Sequence, residues 1–166
     1  MPKFTRLIFK SIIYVSLFFL AAPTLWGADP SANLLYQKNG DSTDDNLGYS
    51  VAGARDVNGD GKADFIIGAP YVNQGGFFDV GSAYIYSGSD GALLYQKSGP
   101  TDNDYMGWSV SGAGDVNADA KDDFIVGAPF ADTGDGIPTG SVFVFSGADG
   151  SLLRSEERRV GKECRL

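Results

Sequence analysis

The segment Leu34-Leu35-Tyr36-Gln37-Lys38 recurs unchanged as Leu93-Leu94-Tyr95-Gln96-Lys97, 59 residues later. A third start, Leu152-Leu153, follows after another 59. Residues 34–92 align with 93–151 without a gap, and 30 of the 59 positions are identical. A fixed period of this length confines a chain to architectures that stack one supersecondary unit on the next.

Each unit carries the same order of elements. Tyr49-Ser50-Val51-Ala52-Gly53 and Trp108-Ser109-Val110-Ser111-Gly112 read as a first short strand. An Asp/Asn/Gly loop follows. Phe65-Ile66-Ile67 and Phe124-Ile125-Val126 are continuous runs of apolar β-formers, which predicts a strand buried on both faces. Gly68-Ala69-Pro70 and Gly127-Ala128-Pro129 end them, because Pro cannot donate to a ladder. Loops of unlike sequence come next, Asn73 to Asp79 and Asp132 to Pro138. Ser82 to Tyr86 and Ser141 to Phe145 alternate as third strands, with Tyr84, Tyr86, Phe143 and Phe145 expected in a core between units. Ser87-Gly88-Ser89-Asp90-Gly91 and Ser146-Gly147-Ala148-Asp149-Gly150 are turn sequences before the Leu-Leu closing strand.

Four short antiparallel strands per unit and no amphipathic helix indicate an all-β fold of β-propeller blades. A sandwich of tandem hairpins is the competing arrangement, but it does not require a fixed long period. The expected blades are about 48–97 and 107–153, preceded by a closing strand at 34–38. Propellers typically need four to eight blades. On this reading the chain is an incomplete propeller, a fragment that cannot close a ring.

Charge is placed unevenly. The formal net charge is −8, yet Asp29 to Leu153 holds 18 acidic residues against five basic ones. All 18 are Asp, and the three Glu lie in the tail. Asp without Glu in a Gly-rich chain points to turns, loops and hard-metal ligands. Such a surface excludes nucleic acid as a partner, since phosphate binding needs clustered Lys and Arg. With no His, no imidazole base exists for a serine or cysteine nucleophile. Ser50 and Ser109 do not sit in Gly-x-Ser-x-Gly. Asp44, Asp45, Asp102 and Asp104 are read as a solvated linker rather than a carboxylate pair for glycoside chemistry. No enzyme is expected.

The loops carry the chemistry. Asp56-Val57-Asn58-Gly59-Asp60-Gly61-Lys62-Ala63-Asp64 puts oxygen side chains at loop positions 1, 3, 5 and 9. Ca²⁺ takes six to eight hard oxygen ligands. Asp56, Asn58, Asp60 and Asp64, with the backbone carbonyl of Lys62, form the first candidate set. Asp115, Asn117, Asp119 and Asp123, with the carbonyl of Lys121, form the second. Mg²⁺ fits less well, because it rarely accepts an all-protein cage. Ile67 stands where an EF-hand or dockerin-like loop needs an acidic residue. Ala118 and Ala120 replace Gly59 and Gly61, which predicts a strained second loop.

The unit resembles the FG-GAP repeat of integrin alpha-chain propellers and their bacterial relatives. Gly48-Tyr49-Ser50-Val51, the Asp-rich loop, Asp64-Phe65-Ile66-Ile67 and Gly68-Ala69-Pro70 match its pattern in order, as do the corresponding residues from Gly107 to Pro129. Leu47 and Met106 replace the first aromatic residue. The resemblance covers about residues 34–153. It implies a seven-bladed propeller when complete, with Ca²⁺ in hairpin loops on one face, held by the ligand sets named above.

The two ends differ from this region. Lys3, Arg6 and Lys10 precede an apolar run from Ser11 to Ala22, so residues 1–28 are expected to be a secretory signal peptide. The apolar run is short of the roughly 20 residues that span a bilayer, so no transmembrane span is expected in the mature chain. Residues 154–166 resemble the translation of a DNA-sequencing adapter and are expected to be non-native. The repeat calls for Tyr at 154 and finds Arg154. The functional expectation is a secreted, periplasmic or cell-surface module that binds an extracellular protein or glycan through its variable loops. The alternatives are an accessory propeller of a larger secreted hydrolase and a structural scaffold repeat.

Overall fold

The computed structural model describes residues 34–132 and 137–157, and the chain divides into two units after Asn39. The signal-peptide segment and residues 158–166 lie outside the described residues.

From Gly40 on, eight strands form two antiparallel sheets of four. β1 (Ser50–Arg55), β2 (Asp64–Ala69), β3 (Ser82–Tyr86) and β4 (Leu93–Ser98) pair in chain order. β5 (Ser109–Gly114), β6 (Asp123–Ala128), β7 (Ser141–Phe145) and β8 (Leu152–Glu157) repeat that order. No helix occurs among the described residues, and none is long and apolar enough to cross a membrane.

The pairing register explains the burial. Ile66 faces Ile85 across β2 and β3, while Phe65 faces Tyr86 and Ile67 faces Tyr84. Side chains alternate between faces along a strand, so these are two apolar faces. The Ile66–Ile85 face meets the second sheet, and Ala54, Val57, Ala83, Met106, Phe124, Val126, Ala128, Ala131 and Phe145 complete one core between the sheets. Phe124 stacks on Phe145 at 5.4 Å and on Tyr95 of the first sheet at 6.0 Å. On the other face Tyr84 packs with Ala69 and Val72, with Tyr86 against them. Phe143 and Phe145 thus lie in the core between the sheets, whereas Tyr84 and Tyr86, expected there too, pack on the opposite face of the first sheet. β2 is buried at every residue, as its sequence predicts, whereas Ile125 and Gly127 of β6 are only half-buried.

Glycine permits the sheets to approach. A Cβ on Gly68 would lie 2.0 Å from Gly107 O and 2.3 Å from Ser50 Oγ. Ser50 Oγ donates to Gly107 O at 2.8 Å, so the Gly-Ala-Pro end of β2 rests on the turn that opens the second unit. Gly107 itself has φ of 87° and would drive a Cβ to 2.3 Å from Ser82 O. Backbone against backbone leaves no flexible atom to yield.

One expectation, that of a solvated linker, needs correction, and two observations at the ends of the repeat region stand beside it. Residues 34–38 form no strand, although the same five residues begin β4, where β3 lies beside them. The expected boundary at Leu153 falls inside β8, which runs to Glu157 and pairs Arg154 with Val144 and Ser155 with Phe143. Backbone pairing tolerates a change of composition there. Asp45 and Asp104 are buried rather than solvated. Asp45 accepts the Ser42 N–H at 3.1 Å, and Asp104 accepts both the N–H and the hydroxyl of Thr101 at 2.7 Å.

Gly68→Ala should lower stability by about 2 kcal/mol, the usual cost of overpacking against atoms that cannot relax. Urea denaturation measures it, and an unchanged midpoint would contradict the close approach.

Candidate metal centres at the hairpin tips

The β1–β2 connection is a tip in which side chains organise backbone. Asp56 Oδ1 accepts the N–H of Gly59 at 2.7 Å and of Asp60 at 2.9 Å, and Oδ2 accepts that of Gly61 at 2.9 Å. Asn58 Oδ1 accepts the Asp60 N–H at 2.9 Å, and Asp60 Oδ1 accepts the Lys62 N–H at 2.8 Å. Short Asp and Asn side chains bond locally in this way and so favour tight loops. Gly59 and Gly61 take φ of 77° and 81°. The β5–β6 tip repeats the design. Asp115 caps Asp119 and Ala120 at 3.1 and 2.9 Å, and Asp119 caps Lys121 at 2.9 Å. Ala118 and Ala120 are held at φ of 62° and 69°, as the substitutions predict, at about 1 kcal/mol or more each.

The last acidic residue of each tip lies inside the protein. Asp64 is 1% exposed and Asp123 fully buried. Asp64 Oδ2 accepts the N–H of Val57 at 2.8 Å and of Asn58 at 3.2 Å, and Oδ1 accepts that of Gly88 at 2.9 Å. Asp123 Oδ2 accepts the Val116 N–H at 2.8 Å and Oδ1 the Gly147 N–H at 2.9 Å. One carboxylate therefore joins its own tip to the β3–β4 or β7–β8 turn. The turn glycine makes room: a Cβ on Gly88 would meet Ala63 O at 1.8 Å, and one on Gly147 would meet Asp122 O at 2.1 Å.

The electrostatics follow from these partners. Burial pushes the Asp64 carboxyl above its ordinary value, opposed by the N–H groups of Gly88, Asn58 and Val57 and reinforced by the charge of Asp60. At the exposed second tip the Asn117 side-chain amide, then the Lys121 N–H, hold Asp119 below the ordinary carboxylate value. Asn58 Nδ2 donates to Asp60 Oδ2 at 3.0 Å, and Asn117 Nδ2 to Asp119 Oδ2 at 2.7 Å. In each tip the positive end of an amide thus lies against a carboxylate, where a cation would relieve the same charge.

Each tip accordingly gathers the residues at loop positions 1, 3 and 5, while the residue at position 9 is drawn into the interior. Among the described residues no group of three or more carboxylates is arranged to hold a metal ion in this conformation. The donor set is nonetheless one of hard oxygens. A carboxylate offers about four lone-pair sites; Asp56 and Asp64 each accept three hydrogen bonds and Asp60 two, so each retains capacity to ligate.

Sequence reading missed a second feature, at the opposite end of the strands. Tyr49, Tyr71, Tyr105, Trp108 and Phe130 form one aromatic cluster. Tyr49 lies 4.8 Å from Trp108, Tyr71 lies 5.4 Å from Tyr105, and Tyr105 lies 5.5 Å from Phe130. Tyr49 and Phe130 are nearly half exposed. The signal was present: Tyr49 and Trp108 share a repeat position, as do Tyr71 and Phe130. The β2–β3 loop lies at the same end. Its tip is a two-glycine turn, Gly75-Gly76 at φ of 65° and 89°, closed by a Gln74–Phe77 bridge. Phe77 and Phe78 stand exposed on it. In the second loop residues 133–136 lie outside the described residues.

Comparison with known proteins agrees with this geometry. The family model for the FG-GAP repeat matches residues 47–86 and 106–145. Integrin alpha-PS5 of Drosophila melanogaster is 33% identical over 135 residues, which is 79% of this chain and 13% of that protein. Integrin alpha-5 of Xenopus laevis is 33% identical over 125 residues, 71% of this chain and 12% of that protein. Integrin alpha-V of Gallus gallus is 38% identical over 109 residues, 66% of this chain and 9% of that protein. The chain thus spans about an eighth of the length of the first two relatives.

Asp64→Ala should destabilise the protein by about 3 kcal/mol even in a chelator, because three backbone N–H groups lose their acceptor. Thermal unfolding in EDTA checks this. A loss confined to calcium-containing buffer would mean that Asp64 acts only as a ligand.

Proposed function

The chain belongs to the FG-GAP repeat family, and from that premise we propose that it is a secreted, calcium-stabilised propeller module for extracellular adhesion or recognition, without catalytic activity of its own. Residues 1–28 serve as its secretory signal. Asp56, Asn58, Asp60, Asp64 and the Lys62 carbonyl bind one Ca²⁺; Asp115, Asn117, Asp119, Asp123 and the Lys121 carbonyl bind a second. Residues 154–166 have no part in either role. An extracellular protein or glycan is met by the loops Asn73 to Asp79 and Asp132 to Pro138.

One observation carries this reading: two hairpin tips have the same donors at the same loop positions, and in both the first Asp accepts the N–H groups of positions 5 and 6, although glycine has been replaced by alanine in the second. The Asp115, Asn117 and Asp119 side chains hold Ala118 and Ala120 in a conformation unfavourable for alanine. A cation that draws three or four oxygens together gives that conformation a use. Calcium here locks the tips and does no chemistry.

Adding Ca²⁺ at about 100 times its Kd should stabilise the protein by about 2.7 kcal/mol per site. The melting temperature should rise accordingly, and Asp60→Ala should remove the contribution of the first tip. A melting temperature indifferent to Ca²⁺ would overturn the metal assignment.

A further inference from the structure

The two tips touch each other through a carboxylate that only the second unit has. Asp122 Oδ2 accepts the Asp56 N–H at 3.1 Å, and the Asp122 N–H donates to Asp56 O at 3.2 Å. Lys121 Nζ donates to Asn58 O, and it lies so near Gly59 that a Cβ there would overlap it. The residue aligned with Asp122 in the first unit is Ala63. The backbone of loop positions 1 and 3 in the first tip is thus gripped from the second. None of these bonds uses the side-chain oxygens of Asp56, Asn58 or Asp60.

We propose that Asp122, with Lys121 beside it, is a positioning residue for the first cation site. It fixes the backbone of Asp56 from outside, so that the Asp56 and Asn58 side chains are oriented before a divalent cation arrives. Ordering a loop in advance removes part of the entropy that binding would otherwise have to offset. The inference rests on the calcium reading above and adds to it a dependence of the first tip on the second. A purely electrostatic role for the Asp122 charge differs in one respect: an uncharged oxygen acceptor would not replace it.

The test is calorimetric titration of Ca²⁺ into the full chain carrying Asp119→Ala, so that the heat reports the first tip. In that background Asp122→Ala should raise Kd about tenfold, the worth of one well-placed hydrogen bond. Asp122→Asn, which keeps an acceptor oxygen, should stay within about twofold of the parent. If Asp122→Ala does not fold, Asp122→Glu misplaces the acceptor by one methylene and should weaken binding in the same direction. An unchanged Kd in the folded Ala or Glu variant overturns the positioning role and leaves the calcium reading standing. Equal weakening by Asn and Ala also overturns it, in favour of bulk charge. No heat from the Asp119→Ala parent at millimolar Ca²⁺ overturns the calcium reading at this tip, and the positioning role with it.

Discussion

Each sheet is tied to its tip by one buried carboxylate. Asp64 and Asp123 sit at the first residue of β2 and β6, and their oxygens accept amides from the tip and from the next hairpin turn. A buried charge is tolerable only when its oxygens are partnered, and N–H groups that would otherwise lack acceptors are its partners here. The consequence is mutual. The carboxylate needs the tip to curl, and the curled tip needs the carboxylate. Gly88 and Gly147 let the turn come close enough to take part. Whatever binds at the tip therefore meets a loop already shaped from beneath.

The two units reach the same geometry through different strain. At the irregularity where β1 leaves its register, Arg55 takes φ of 57°, while the matching Gly114 takes 71° without a Cβ penalty. At the tips the arrangement is reversed, with glycine at 59 and 61 and alanine at 118 and 120. A conformation that survives the loss of its preferred residue is held by something else. Here that is the network from Asp115, Asn117 and Asp119 above and Asp123 below.

Much of this was legible in the sequence because the repeat compares the chain with itself. Strand order, the doubly buried β2, the tip positions and the place of Phe143 and Phe145 in the core all follow from period and alternation, whereas Tyr84 and Tyr86 pack on the other face. What escaped depends on contacts distant in sequence. The bond from Gly88 to Asp64 spans 24 residues, and that from Asp56 to Asp122 spans 66, so no local pattern reports either. Asp45 and Asp104 look like linker residues until Ser42 and Thr101 are seen to cap them. The aromatic cluster was within reach, since four of its five members, Tyr49 with Trp108 and Tyr71 with Phe130, recur at matching repeat positions. Residues 34–38 show the opposite limit, a strand sequence that forms no strand.

Each candidate site has a floor made by folding and, on the calcium reading proposed above, a mouth that a cation would fill. Amide hydrogen exchange followed by NMR, without calcium and then with it, separates the two. The N–H groups of Val57, Gly88, Val116 and Gly147 should be strongly protected in EDTA and change little on adding Ca²⁺. Those of Gly59 to Lys62 and Ala118 to Lys121 should slow further when the ion binds. If the first four exchange at unfolded-chain rates until calcium is added, the floor is made by the metal and the buried carboxylates are not what shapes the tips.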